Sequence, residues 1–275
     1  MRDKAPDIAS FVALGDSFTE GVGDPYPAGE GHQDSGDRGS DHRGWADRFA
    51  ERLAAEQPSL RYANLAVRGR LVGQVAADQV PLAVAMAPDL VSVAAGGNDL
   101  LRPRADPDAL AQTFDDMVTQ LRAAGCEVLL FTGFDPRAFP LIRLIRGKVA
   151  AYNMHLRVIA DRRGCHLVDL WSMRILSDPR EWCADRLHLG PDGHRRVALR
   201  ACEVMGVSTD ADWSDPLPPR LSPEAAAARA KGWLAARRLD AHWAREYAVP
   251  WIGRRLRGVS SGDGIAPKRP ELLPL

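Results

Sequence analysis

The stretch Ile8-Ala-Ser-Phe-Val-Ala-Leu-Gly-Asp-Ser-Phe-Thr-Glu-Gly21 is a short apolar run that stops abruptly at Gly15-Asp16-Ser17. Near-continuous apolar character over Ile8–Leu14 predicts a strand covered on both faces, and the Gly-Asp-Ser that follows predicts a turn at its C-terminal end. The same signature recurs at Arg61–Leu65, Asp89–Ala95, Val128–Phe134 and His166–Leu170. Between these runs, helical periodicity fits Trp45–Gln57, Val72–Ala85, Pro107–Ala124, Leu141–Arg163 and Pro191–Met205. Asp106-Pro107 is a helix start, with Asp as cap and Pro in the first turn, while Gly125 and Gly164 stand where helix C-caps belong. Strands alternating with helices predict an α/β fold: a three-layer α/β/α sandwich around a five-stranded parallel sheet. Eight βα units are not present, so a doubly wound order is expected over a barrel. This domain is expected to occupy residues 1–207.

Composition is consistent with one large globular unit. The chain has 275 residues, 45% hydrophobic, with 36 basic and 36 acidic side chains, which argues against collagen-like, disordered and membrane-spanning classes. Zero net charge argues against a dedicated nucleic-acid binder. The N-terminal apolar run is too short for a signal peptide, and a cytoplasmic location is expected. Cys126, Cys165, Cys183 and Cys202 lack CxxC spacing, so free thiols in a reducing compartment are expected.

Several residues gather where open α/β sheets build their sites, beyond the C-terminal ends of strands. Ser17 follows the first strand. A serine hydroxyl is a poor nucleophile unless a base takes its proton, so a histidine must come from elsewhere. Asn64-Leu-Ala-Val-Arg-Gly69 follows the second strand and brings a glycine N–H to the same edge. Gly96-Gly97-Asn98-Asp99 follows the third, with glycines that allow close approach and an Asn98 amide able to donate to an oxyanion. Asp185-Arg-Leu-His188 lies beyond the fifth; a carboxylate three residues before a histidine can fix its tautomer while Nε2 faces the serine.

These four blocks resemble, in order, those of the SGNH (GDSL) hydrolase family, with Phe18 where the family's name-giving Leu would stand. The resemblance covers residues 8–206. It implies a flavodoxin-like sandwich and a serine hydrolase of carboxylic esters with small or medium acyl groups. Ser17, His188 and Asp185 would form the catalytic triad, and Ser17, Gly69 and Asn98 the oxyanion hole, with no metal or cofactor required. A carbohydrate or natural-product O-deacetylase, or an acyltransferase, would use the same groups. A non-catalytic ligand-binding protein is the alternative of a different class. His194 is expected as a surface or capping residue, and Trp45 as packing near the pocket.

Two segments stand outside the βα rhythm. Gly21–Gly44 is a long Gly/Asp/Pro-rich loop expected to border the site. After Val207, residues 208–259 read as a Pro-rich linker and a basic helical extension, with nine basic residues against three acidic ones between Arg220 and Gly258. Docking on the chain's own acidic body is expected first, then a homodimer contact, then a peripheral membrane contact. Residues 260–275, rich in Gly and Pro, are expected to be poorly ordered.

Overall fold

In the computed structural model, which describes residues 7–27, 42–139, 142–218, 245 and 261–275, the opening apolar run is strand β1 (Ser10–Gly15), buried along its whole length. It is flanked by β2 (Arg61–Asn64) and β3 (Leu90–Ala94), and β4 (Glu127–Phe131) and β5 (His166–Val168) continue the sheet. These five strands are parallel, in the order β2-β1-β3-β4-β5, the flavodoxin-like arrangement. Alternation along β1 feeds two cores. Phe11 and Ala13 pack with Trp45, Phe49 and Val197, while Val12 and Leu14 pack with Phe114, Met117 and Val118. Helix α2 (Gly44–Glu56) covers the first core with α8 (Pro191–Met205); α6 (Pro107–Ala123) and α7 (Arg146–Arg163) cover the second. α1 (Ser17–Glu20) and α5 (Gly97–Leu100) are single turns at the ends of β1 and β3.

One expectation is refined and one corrected. The helix expected over Val72–Ala85 forms without interruption, as α3 (Val72–Gln74), a π-helical turn at Val75–Gln79, and α4 (Val80–Met86). Pro81 is the cause of the π-helical turn, because it has no N–H to donate and its ring crowds the preceding turn. The tail 260–275, expected to be poorly ordered, instead carries a sixth strand. β6 (Arg269–Pro274) runs antiparallel to β2, with a register shift between Tyr62 and Asn64. Its two prolines are tolerable because β6 is the edge strand. The expected basic helix lies outside the described residues beyond Pro218, apart from Arg245. The linker up to Pro218 is tied to α8, where Arg196 Nη1 donates to Trp213 O (2.7 Å) and Asp215 O (2.8 Å). Among the described residues no helix is long and apolar enough to cross a membrane.

Candidate active site

Ser17 is the first residue of α1, directly beyond β1, so its backbone N–H has no intrahelical acceptor. The turn before it is held tightly. A Cβ on Gly15 would stand 2.4 Å from the Ala94 carbonyl oxygen, a distance only glycine permits. Gln79, from the π-helical turn, brackets Gly15 by accepting from its N–H (2.8 Å) and donating to its carbonyl (2.9 Å). Asp16 caps α1 by accepting from the Phe18 N–H at 3.1 Å.

Asn98 sits in α5, at the end of the neighbouring strand. Its Nδ2 donates to Asp16 Oδ2 (3.0 Å) and to Arg70 O (3.1 Å). The ends of β1 and β3 and the loop after β2 are thereby joined through one amide. Burial pushes the Asp16 carboxyl up to about 6, against the Phe18 N–H and the nearby His188, which both favour its ionised form.

His188 comes from the loop between β5 and α8. The Asp185–His188 segment folds back on itself: Asp185 Oδ1 accepts from the N–H groups of Leu187 (3.0 Å) and His188 (3.1 Å), while Arg186 takes a positive φ of 56°. That turn leaves Asp185 Oδ2 at 2.6 Å from His188 Nδ1. With Nδ1–H donating to the carboxylate, Nε2 is left as the acceptor. Burial works against the Asp185 charge, yet the His188 bond and the two backbone donors hold its carboxyl below the ordinary carboxylate range.

Ser17, Asn98 and His188 line one cavity of about 220 Å³, together with Asp16 and Tyr152. Asp185 stands behind His188. Gly69 lies in the turn beside the cavity and is not part of its lining. The rest of the wall is largely apolar. Phe18, Leu101, Phe131, Phe134 and Leu170 contribute, and Trp182, Leu176 and Leu187 close it from the β5–α8 side. The short helical segment Ile142–Ile145 turns Ile142 and Ile145 inward, where they add to the apolar wall with Pro136.

Of the surface and capping places expected for His194, the structure bears out the cap, at the start of α2, and not the surface. His194 is fully buried. The Trp45 N–H donates to Nδ1 (3.2 Å), so Nε2 carries the hydrogen and faces Val22 O (3.3 Å). Burial pulls its pKa down to about 4. It fastens α8 to the loop after Ser17 as a neutral ring. Trp45 packs as expected, against Phe18 and Phe131 beside the cavity.

The sequence reading missed the residues that hold the blocks together. Gln79 and Asp16 are two; Glu20, Asp99 and Asp47 are others, all with 9% exposure or less. Glu20 accepts from the Arg68 N–H (2.6 Å) and pairs with its guanidinium, and Asp99 accepts from the Val72 N–H (3.1 Å). A polar residue inside an apolar periodicity, such as Gln79 two residues before Pro81, was the available signal. Among the described residues no group of three or more His, Cys, Asp or Glu is arranged to hold a metal ion.

Comparison with solved structures finds this sandwich in several other proteins. LAE5, an α/β hydrolase from the metagenome of Lake Arreo, Spain, is 25% identical, with a TM-score of 0.59 over 72% of this chain and 95% of its own. TesA is 22% identical, with a TM-score of 0.57 over 71% of this chain and 97% of its own. Axe2, an acetylxylan esterase from Geobacillus stearothermophilus, is 20% identical, with a TM-score of 0.59 over 79% of this chain and all (100%) of its own. A search of curated proteins finds no match. The family model described as the GDSL-like lipase/acylhydrolase family matches residues 13–196, from the middle of β1 to the first turns of α8. That span takes in every strand-end block read from the sequence, and the chain belongs to the GDSL-like lipase/acylhydrolase family.

Proposed function

We propose that this ester hydrolase works through a Ser17–His188–Asp185 triad and an acyl-enzyme, on carboxylic esters of small or medium acyl groups. The observation that carries the reading is the sharing of one cavity by Ser17, Asn98 and His188, with Asp185 bound behind the imidazole at 2.6 Å. His188 Nε2 takes the Ser17 proton as Oγ attacks the acyl carbonyl. The imidazolium, stabilised by Asp185, then protonates the leaving alcohol, and water activated by the same histidine releases the acid.

Negative charge develops on the carbonyl oxygen during both steps. The Ser17 and Gly69 N–H groups and the Asn98 amide are its donors in this mechanism. Because Asp16 and Arg70 O already engage Asn98 Nδ2, donation to the oxyanion draws one hydrogen away from them or shares it. The two bonds hold the Asn98 amide in place beside Ser17 before substrate arrives.

The apolar wall supports an aliphatic acyl chain over an acetylated sugar, whose hydroxyls would be left without partners against Phe134, Leu176 and Trp182. A chain-length series of p-nitrophenyl esters run beside acetylated sugars tests this, and a phosphonate probe tests the nucleophile. Wild type is expected to take the label on Ser17 and Ser17→Ala to refuse it, losing turnover by about 10⁴-fold or more while keeping its fold. Near-normal ester hydrolysis by Ser17→Ala would overturn the assignment; an unlabelled wild type without turnover would favour a ligand-binding protein.

A further inference from the structure

The C-terminal segment touches the polar half of the site at two points. Gly262 is buried against the turn Val67–Arg70: a Cβ there would stand 2.0 Å from the Arg68 carbonyl oxygen and 2.9 Å from Val67 Cγ1. The turn is closed by the Arg70 N–H donating to Val67 O at 3.3 Å. It contains Gly69, its Arg70 carbonyl holds Asn98, and its Arg68 is bound to Glu20, the last residue of the turn that begins with Ser17. A shift at Arg68 therefore moves groups on both sides of the nucleophile.

The second point is Lys268. Its ammonium donates to His42 O (2.8 Å), Arg43 O (2.8 Å) and Asp47 Oδ2 (2.9 Å). Both side chains of this ion pair are nearly buried, at 6% and 7% exposure. Asp47 also accepts from Tyr26 (2.5 Å) and Tyr62 (2.7 Å). The two carbonyls lead into α2, whose first residue, Gly44, packs against Gly21 at the end of the Ser17 turn. Directly after Lys268, β6 is paired along β2, and the Arg269 guanidinium lies over the Tyr62 ring while its Nε donates to Tyr62 O (2.9 Å).

We propose that residues 261–275 are a positioning element of the active site, with Gly262 setting the Val67–Arg70 turn and Lys268 setting the approach to α2. The inference rests on the serine-hydrolase reading and adds to it a part of the chain that lies beyond the matched residues 13–196. Neither residue touches substrate. Both act through the backbone that carries or aims the oxyanion donors, so turnover and not substrate binding should register their loss.

The test uses the full chain with Gly262→Ala, Lys268→Met and, as an exposed control, Ser261→Ala. Steady-state ester hydrolysis, the rate of Ser17 phosphonylation, amide exchange at residues 67–70 and thermal unfolding are measured together. Gly262→Ala is expected to lower kcat about ten- to hundredfold with KM within about twofold of wild type, since small misplacements at a site cost that much. Exchange at 67–70 should rise while the protection of β1 and β3 stays, and Ser261→Ala should behave as wild type. Should Gly262→Ala fail to fold, Lys268→Met carries the same test, with a slower kcat and exchange rising at the start of α2. An active wild type whose Gly262→Ala and Lys268→Met variants keep its kcat overturns this proposal alone. So does a fall in kcat that only tracks the folded fraction. A wild type that neither turns over ester nor takes the label removes the serine-hydrolase reading and this proposal with it.

Discussion

The two sides of the cavity are built by different physics. On the β1–β2 side, buried polar groups are paired by hydrogen bonds: Asp16 with Asn98, Glu20 with Arg68, Asp99 with the Val72 N–H, Gln79 with Gly15. On the β4–β5 side the wall is Phe131, Phe134, Leu170, Leu176 and Trp182, closed by Ile142 and Ile145. Hydrogen bonds between buried partners are directional and costly to leave unmade, so the first side fixes geometry to a fraction of an ångström. Apolar contact is non-directional and scales with area, so the second side sets volume and tolerates reshaping. On the proposed mechanism, chemistry belongs to the polar groups, those of the β1–β2 side together with the Asp185–His188 pair from the β5–α8 loop, and substrate choice to the apolar wall, so the two should come apart under mutation.

Asp185→Asn, in the loop beyond β5, should produce the largest effect on the chemistry. The amide cannot stabilise the His188 imidazolium and favours the wrong tautomer, so kcat is expected to fall about 10⁴-fold while the fold persists. Asn98→Ala comes next, with about a hundred- to thousandfold loss in kcat, the usual cost of one oxyanion donor. That variant also frees Asp16 and Arg70 O, so a modest loss of stability should accompany it. Single-turnover kinetics with a p-nitrophenyl ester, read beside circular dichroism, measure both.

Sequence made the two sides legible to different degrees. Strand-end blocks were visible because parallel strands leave compact apolar runs and the chemistry sits where each run ends. Ser17, Asn98, Asp185 and His188 could be found that way, and the cavity joins the first, second and fourth of them. What holds them was not visible. The Asp16–Asn98 contact spans 82 residues and the Lys268–Asp47 contact 221, and no local periodicity encodes a pairing at that distance. β6 was missed for a related reason. Arg-Pro-Glu-Leu-Leu-Pro is poor in β-branched residues and holds two prolines, so its strand state comes from the exposed edge of β2 and not from its own propensity.

His194, in α8, extends the comparison to pH. His194 is held neutral on the polar side, with its pKa pulled from 6.5 to about 4 by burial. Between these values the unfolded chain takes up a proton that the native state refuses. Its contribution is complete above pH 6.5 and is lost as pH falls towards 4, by about 3 kcal/mol in all. Asp16 and Glu181, raised to about 6 and about 7 by burial, act with the opposite sign, stabilising the native state as pH falls through those values. The clean measurement is therefore a difference. Urea unfolding of wild type and His194→Gln from pH 7 to pH 4.5 should show wild type losing stability relative to the variant as pH falls. Parallel curves would place His194 outside the buried network.

The smallest effect in energy separates the two sides most cleanly. Ile145 turns into the cavity from the short segment before α7 and is only partly buried, so Ile145→Ala should enlarge the apolar wall at little cost to folding. One methylene in an apolar pocket is worth about 1–3 kcal/mol of discrimination, so the ratio of kcat/KM for longer over shorter acyl esters should rise by about tenfold. Ile145→Trp should move the ratio the other way. Asn98→Ala should lower kcat/KM for every chain length by the same factor, because the oxyanion forms on the carbonyl whatever chain follows it. A chain-length series on these three variants measures both responses. If Ile145→Ala slows all esters equally, the wall is part of the catalytic geometry; if Asn98→Ala changes the chain-length ratio, the polar side takes part in substrate choice. Either result would dissolve the division, and a ratio that moves only with the wall would establish it.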